Sequence, residues 1–154
     1  MHLDSLVVRF AVGSDHAGFA MKELVRQHLD KAGHDVIDLG TYDETPVDYP
    51  DFGAAVGRAV VAGEADTGVC VCGTGIGIAI AANKVRGVRA AVVHDVSSAM
   101  LAHEHNDANV VCFGARLIGP VVATDAIDAF IASSFEGGRH LARIEKISEL
   151  EDEP

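Results

Sequence analysis

The sequence predicts an α/β fold in which helices cover both faces of a parallel sheet of five strands. Short apolar runs alternate with longer segments whose apolar residues recur at helical spacing. Strands that are apolar on both sides are typical of a sheet buried between two helical layers, and parallel neighbours require helical crossovers. The chain has 154 residues, 49% of them apolar, so we expect residues 1–154 to form a single domain with a substantial core.

The first elements follow from apolar runs and the residues that stop them. The run Leu6–Val12 is predicted to be a buried strand. The next segment, Phe19–Ala32, carries apolar residues at helical spacing and stops at Gly33, so it is predicted to be a helix. A short second strand, Asp35–Leu39, leads into a loop that contains prolines, Gly40–Pro50.

The rest of the chain continues this alternation of helices and apolar strands. We predict the helix Asp51–Ala62, the strand Gly68–Cys72, the helix Gly75–Lys84, the strand Arg89–Val93, the helix Ser97–His103, the strand Asn109–Phe113, and two closing helices, Val121–Ser134 and His140–Leu150. The acidic residues 149–154 are expected to form a solvated tail.

Composition excludes several classes of partner. The net charge of −11, from 12 basic and 23 acidic residues, argues against general binding of nucleic acid or of anionic membranes. Apolar runs are too short for a membrane span, and residues 1–6 lack the pattern of a signal peptide. The three cysteines, Cys70, Cys72 and Cys112, lie in apolar runs, and this odd number suits a reducing cytoplasm. We therefore expect a cytoplasmic protein.

The most informative segment is the glycine-rich turn Cys72–Gly77, which follows an apolar strand and opens a helix. Such a turn directs several backbone N–H groups at one point, where the helix dipole also favours negative charge. A cysteine at its edge is biased toward the thiolate form for the same reason. This pattern indicates a nucleophile or a base beside an anion-binding turn.

Two other interpretations of this turn remain open. A dinucleotide site is one, and Asp95 would then be the ribose-binding acid, but Ile78 stands where the third glycine of that motif is needed. The turn also follows the third strand, whereas the usual dinucleotide motif follows the first. The remaining interpretation is a tight turn that binds no ligand.

Other polar residues also follow predicted strands. Ligands of parallel α/β sheets bind beyond the carboxyl ends of the strands. In this chain those ends carry Ser14-Asp15-His16, Cys72-Gly73-Thr74, His94-Asp95 and Gly114-Ala115-Arg116. We therefore expect a site at this edge of the sheet.

Two clusters lie elsewhere. The polar run His103–Asp107, between a helix and a strand, suits a general acid or base better than a metal site. Arg139 and Arg143 are four residues apart, so they share one face of a helix. They suggest a clamp for a phosphate or carboxylate, and a solvated basic face is the alternative. Cys70 and Cys72 form a Cys-x-Cys pattern, which is a weak metal motif without a second pair. Cys70 and Cys112 are predicted to be small buried residues.

Six segments together resemble a known family. They are Gly13-Ser-Asp-His-Ala-Gly-Phe19, Asp48-Tyr-Pro50, Cys72-Gly-Thr-Gly-Ile-Gly77, Ala81-Ala-Asn-Lys84, His105-Asn-Asp107 and Gly137-Gly-Arg-His140. In order and spacing they resemble the type B ribose-5-phosphate isomerases, a group that includes galactose-6-phosphate and allose-6-phosphate isomerases. The resemblance runs from about residue 7 to residue 147 and leaves residues 1–6 as an N-terminal extension.

The resemblance implies a fold, a reaction and an assembly. The fold is a Rossmann-like three-layer α/β/α sandwich. The reaction interconverts ribose 5-phosphate and ribulose 5-phosphate through a cis-enediolate, with no metal and no other cofactor. The assembly is a homodimer or a homotetramer built as a dimer of dimers, with active sites shared between subunits.

It also implies roles for individual residues. Cys72 would be the base, Thr74 would help to move protons between the two oxygens, and His105, from the partner subunit, would open the sugar ring. The remaining residues would bind substrate. Asp15 would bind the sugar hydroxyls, and the phosphate would be held by His16, Arg116, Arg139 and Arg143. The enediolate oxygen would be bound by Gly73, Gly75, Ile76 and Gly77, while Tyr49 and Asn106 would line the adjoining walls of the site.

Three alternative functions stay open. The chain could isomerise another aldose phosphate, such as allose 6-phosphate, galactose 6-phosphate or a tetrose phosphate. It could be a nucleotide-binding module that uses the same glycine turn. It could also be the partner of a second, paralogous isomerase subunit, although it keeps the whole set of expected catalytic residues.

Overall fold

The structure is a computed structural model, and it describes residues 6–154. Its strands are β1 (Arg9–Ser14), β2 (Asp35–Asp38), β3 (Thr67–Cys72), β4 (Ala90–Val92) and β5 (Val110–Gly114). Its helices are α1 (Phe19–Lys31), α2 (Tyr49–Val61), α3 (Ile76–Asn83), α4 (Val96–Asn106), α5 (Pro120–Ala132) and α6 (Arg139–Leu150). The strands form one sheet in the order β2-β1-β3-β5-β4, and every neighbouring pair is parallel. The predicted parallel sheet of five strands is confirmed.

Two separate hydrophobic clusters cover the two faces of the sheet. On one face, α1, α4 and α5 bury large side chains of the strands such as Phe10 and Phe113. On the other face, α2 and α3 pack against smaller strand residues, among them Cys70 and Cys112. Side chains of successive strand residues alternate between these clusters, as the pleat of a strand requires. The expected three-layer sandwich is therefore confirmed, and α6 lies outside the layers against α4.

The first strand begins later than the predicted Leu6–Val12. Arg9 is the first residue of β1 paired with β2, and its register partner is Asp35. Leu6 and Val7 are 81% and 53% exposed, so the apolar run continues beyond the sheet that buries its other half. Residues 1–5 of the expected N-terminal extension lie outside the described residues.

The helix before β5 is longer than the predicted Ser97–His103. It begins after Asp95, whose side chain accepts a hydrogen bond from the Ser98 N–H in a capping box. It continues to Asn106 and ends at Asp107, which has a left-handed conformation with φ 45°. His105 and Asn106 therefore lie in the last turn of α4, whereas the sequence predicted a polar segment between helix and strand.

The acidic tail is exposed but is attached to the body of the protein. The Arg86 guanidinium donates to the backbone oxygen of Glu151 at 3.1 Å and pairs with the carboxylate of Asp152. The Glu151 side chain accepts a hydrogen bond from the Gly87 N–H at 2.8 Å. These contacts hold the end of α6 near the start of β4.

Among residues 6–154, no helix combines the length and the apolarity that a membrane crossing needs.

Candidate active site

Three central strands bring most of the predicted strand-end residues together. Because β3 lies between β1 and β5, the segments that follow these strands meet at one edge of the sheet. The Asp15 N–H donates to the Val71 oxygen at 3.2 Å, and the Arg116 N–H donates to the Gly73 oxygen at 2.9 Å. We call this edge, with the residues that follow β1, β3 and β5, the thiol edge.

The glycine turn wraps closely around the thiol of Cys72. Gly75 has φ 77°, and its N–H donates to the Cys72 sulfur at 3.1 Å. A Cβ at Gly75 would lie 2.9 Å from the carbonyl carbon of Phe113, so only glycine fits between this turn and β5. The sulfur that the base hypothesis requires therefore lies directly against a backbone N–H of the turn.

The turn differs in one respect from the expected anion hole. The Ile76 N–H donates to the Thr74 side-chain oxygen at 3.2 Å, and the Gly75 N–H is engaged by Cys72. Two of the predicted donors are therefore already bonded to side chains of the turn itself. An oxygen anion would have to compete with these partners, or use the other amides of the turn.

Tyr49 and Arg116 flank the turn on two sides. A Cβ at Gly77 would lie 2.6–3.0 Å from atoms of the Tyr49 ring, so the ring rests directly on this glycine. The Arg116 guanidinium lies over Gly73, where its Nη1 would be 3.3 Å from an added Cβ. Both side chains therefore lie against the glycine turn that follows Cys72.

Asp15 and His16 are fixed at the end of β1. Asp15 is 6% exposed, and its side chain accepts a hydrogen bond from the Gly18 N–H at 3.0 Å. His16 Nδ1 lies 3.1 Å from the Val47 N and 3.2 Å from the Val47 oxygen. Because Nδ1 is used by the loop, Nε2 is the ring nitrogen that can reach a ligand.

The other two cysteines lie behind the site. Cys70 and Cys112 are register partners on β3 and β5, and both are fully buried. A hydrogen bond with Cys70, together with burial, raises the pKa of the Cys112 thiol well above its ordinary value. Cys112 is therefore an inert thiol, which fits the prediction that it is structural.

His105, Asn106, Arg139 and Arg143 lie in a different part of the molecule. The helix α4 starts near the thiol edge after β4 and runs back to the edge where the strands begin. Arg89, just before β4, donates from Nε to the backbone oxygen of Asn106 at 3.2 Å. The 11 residues of α4 span about 16 Å. Within one chain, the structure does not bring these four residues to Cys72.

This second group lies where α4 meets α6. We use the name histidine cluster for its members, which are His105, Asn106, Glu136, Arg139, His140 and Arg143. The rings of His105 and His140 stack with centroids 4.3 Å apart and planes at 14°. His140 is 5% exposed, and its Nε2 lies 3.4 Å from a carboxylate oxygen of Glu136. Burial, His105, Arg139 and Arg143 lower the pKa of His140, although Glu136 acts in the opposite direction.

A metal ion suits the histidine cluster poorly. Possible ligand atoms of His105, Glu136 and His140 all lie within 4.8 Å of one another. The two nearly parallel rings do not direct their nitrogen lone pairs at one point, and the two arginines disfavour a cation. Sequence reasoning assigned no role to His140 or to Glu136. The cue available was the position of His140 one residue after Arg139, at the start of a helix.

Comparisons with known proteins agree with this architecture. A profile of the family described as Ribose/Galactose Isomerase matches residues 10–147. A relative named ribose-5-phosphate isomerase B, from Escherichia coli K12, is 45% identical over 143 residues, which are 93% of this chain and 96% of the relative.

Two solved structures are also similar. The ribose-5-phosphate isomerase B of Clostridium thermocellum has a TM-score of 0.93 and 47% identity, with 94% of this chain and 97% of that chain covered. The ribose 5-phosphate isomerase of Thermotoga maritima has a TM-score of 0.91 and 46% identity, with 92% and 98% covered. By profile, sequence identity and structure, the chain belongs to the ribose/galactose isomerase family.

Proposed function

We propose that this protein interconverts ribose 5-phosphate and ribulose 5-phosphate. The names of its relatives support this substrate pair. The observation that carries the chemistry is the buried Cys72 thiol, which accepts a hydrogen bond from the Gly75 N–H at 3.1 Å at the open edge of the sheet. A thiolate held in this way is suited to remove a proton next to a carbonyl group.

The reaction is a set of proton transfers. His105 opens the furanose ring: it gives a proton to the ring oxygen and takes one from the hydroxyl on C1, so it ends the step in its starting protonation state. Cys72 then takes the proton from C2 of the open aldehyde, which leaves a cis-enediolate. Thr74 assists proton movement between O1 and O2, and Cys72 returns its proton to C1, which yields the ketose. The proposed scheme includes no metal and no nucleotide.

The phosphate binds to basic side chains from both parts of the molecule. His16 and Arg116 lie at the thiol edge, and Arg139 and Arg143 belong to the histidine cluster. Asp15 binds sugar hydroxyls, Asn106 lines the site beside His105, and Tyr49 closes the site above the glycine turn. Binding of the phosphate fixes the reacting carbons against Cys72, and in this way binding energy lowers the barrier to the reaction.

The active site is formed between two copies of the chain, in a homodimer or in a dimer of dimers. The location of Cys72 and His105 at opposite edges of one sheet supports this proposal, because neither can reach the other within a chain. Exposed apolar side chains on α6 support it too: Leu141, Ile147 and Leu150 are 48%, 44% and 60% exposed. Such a surface next to Asn106 is suited to burial against a second subunit.

The single domain and the cytoplasmic location also belong to this proposal. One family profile spans residues 10–147, which supports a single domain. Three buried cysteines without a disulfide partner suit a reducing compartment.

A substrate panel with matched cysteine variants tests the proposal. We expect turnover of ribose 5-phosphate by the wild type and a loss of kcat of at least about 10²-fold in Cys72→Ala. Cys70→Ala is the control, because it removes a buried sulfur from the same strand outside the site. Full activity of Cys72→Ala would refute the base assignment.

The panel also separates the alternative functions. Preferred turnover of allose 6-phosphate, galactose 6-phosphate or a tetrose phosphate would move the assignment to that sugar. Binding of a nucleotide without turnover of any sugar phosphate would favour the nucleotide-binding module.

A further inference from the structure

We propose that Lys22 is a positioning residue for the phosphate-binding side chain of His16. Through Asp38 it holds the segment 39–48, which in turn fixes the imidazole ring. This inference rests on the proposed function, in which His16 binds the phosphate of the substrate. Lys22 itself touches no substrate atom, so its effect reaches the phosphate only through this segment.

The ammonium group of Lys22 is completely buried between α1 and the end of β2. Its side chain is 0% exposed, and Nζ lies 2.7 and 2.8 Å from the two carboxylate oxygens of Asp38 and 3.1 Å from an oxygen of Glu23. The ring centroids of Phe19 and Tyr42 lie 5.4 and 5.5 Å from the same nitrogen. Carboxylate oxygens and aromatic faces therefore surround the charge of Lys22.

The stability of the fold alone does not account for this buried charge. A buried ammonium loses its hydration, and an apolar side chain of similar size often supports a fold as well as a buried ion pair does. Other inward side chains of α1, such as Val25 and Leu29, are apolar and belong to the hydrophobic cluster on that face of the sheet. The charge of Lys22 needs a second explanation, and the contacts of Asp38 provide it.

Asp38 links the buried ammonium to the backbone of the following segment. The Gly40 N–H donates at 3.0 Å to Oδ1 of Asp38, which is the oxygen that lies 2.7 Å from Lys22. Ser14, at the end of β1, donates its N–H to the Gly40 oxygen at 2.7 Å and accepts from the Thr41 N–H at 2.9 Å. One carboxylate oxygen therefore connects the Lys22 charge to the backbone that is bonded to the end of β1.

His16 is held at both ends of this segment. Its backbone follows the bonded Ser14 by two residues, and its Nδ1 lies 3.1 Å from the Val47 N and 3.2 Å from the Val47 oxygen. Between these two contacts, residues 43–46 are exposed and belong to no helix or strand. The direction of the His16 ring therefore depends on how the two ends of the segment are fixed, and Lys22 fixes the first of them.

Binding of inorganic phosphate, followed by ³¹P NMR titration, is the main measurement because it requires no turnover. Lys22→Met removes the ammonium and keeps the length of the side chain. The carboxylates of Asp38 and Glu23 are 24% and 29% exposed, so water can solvate them in this variant. We expect phosphate binding to weaken by about 10-fold, the lower end of what a hydrogen bond to a charged group contributes. KM for ribose 5-phosphate should rise by a similar factor, which is more than the loss in kcat.

A double-mutant cycle with His16→Ala separates positioning from general stability. If Lys22 acts through His16, Lys22→Met should change phosphate binding by less than about 2-fold in the His16→Ala background. Leu29→Ala is the control, because it removes a fully buried side chain about two turns away on the same helix and lowers the stability of the fold. It should leave phosphate binding unchanged.

Each other outcome is decisive. Unchanged phosphate binding in Lys22→Met overturns the inference. Equal weakening with and without His16 overturns it too, since the ion pair then acts through the fold as a whole. If Lys22→Met does not fold, Asp38→Asn replaces it under the same criteria, because it keeps the shape of the side chain and removes its charge. Absence of ribose 5-phosphate turnover in a wild type that binds phosphate would instead refute the proposed function.

Discussion

Mixing two variants that are each expected to be nearly inactive, Cys72→Ala and His105→Ala, tests whether each active site takes residues from two chains. Cys72 ends β3 at one edge of the sheet, and His105 lies in the last turn of α4 at the other edge. The 11-residue α4 accounts for about 16 Å of this separation. A site that contains both side chains therefore needs a second subunit.

The expected activity of the mixture follows from counting sites. Random pairing makes about half of the dimers mixed, and each mixed dimer has one site with Cys72 and His105 both intact. The mixture should thus regain about one quarter of wild-type activity, from two proteins that are each nearly inactive. The same fraction of intact sites is expected in a dimer of dimers, because each site is again formed by two chains.

The assay needs subunit exchange, produced by co-expression or by joint refolding and confirmed by native mass spectrometry of differently tagged chains. A mixture of wild type with the double variant Cys72→Ala/His105→Ala is the matched control. Shared sites predict about one quarter of the activity of pure wild type, whereas sites within one chain predict about one half. No recovery in the first mixture, together with one half in the second, would refute the shared site.

Three further predictions follow from the geometry. Gly75→Ala and Gly63→Ala both place alanine at a positive φ, near 77° and 78°, but only Gly75 lacks room for Cβ; urea unfolding should show about 1–3 kcal/mol more loss for Gly75→Ala, and equal losses would contradict the close approach. Arg139→Ala should raise KM for ribose 5-phosphate more than it lowers kcat, while Arg86→Ala, in the tail contact, should change neither. The pKa of His140 lies below its usual value, so the unfolded chain binds this proton more readily. The stability that the protein gains from keeping His140 neutral is complete above about pH 6.5 and is lost as the pH falls through the lowered pKa. The melting temperature of wild type should therefore drop more steeply on acidification than that of His140→Phe, and parallel slopes would contradict this.

The sequence predicted every element of the sheet, because each strand is a short apolar run between segments of helical period. Its errors are at the ends of elements. Helix α4 continues beyond His103 because a left-handed Asp107 ends it and Arg89 holds its last carbonyls, and neither effect leaves an apolar pattern. The position of β3 between β1 and β5 is likewise invisible in a single sequence, since it depends on crossovers that pass over a neighbouring strand.

The thiol edge was easier to predict than the histidine cluster. Its residues follow strands, and the ends of parallel strands meet by geometry, so Asp15, Cys72 and Arg116 could be grouped without a structure. The stack of His105 on His140 depends on a chain reversal at Gly137 and Gly138 and on a backbone contact between two helices. Sequence spacing carries no information about either.

If one active site contains both Cys72 and His105, in contrast, the need for a second subunit follows from topology alone. A crossover helix starts at the edge where its strand ends and returns to the edge where the next strand begins. A residue at the end of such a helix, like His105, is therefore carried away from a residue at the end of a strand, like Cys72. A mechanism that uses both side chains must bring the edge where the strands begin in one subunit to the edge where the strands end in another. The pairing of His105 with Cys72 would therefore determine how the two subunits pack together.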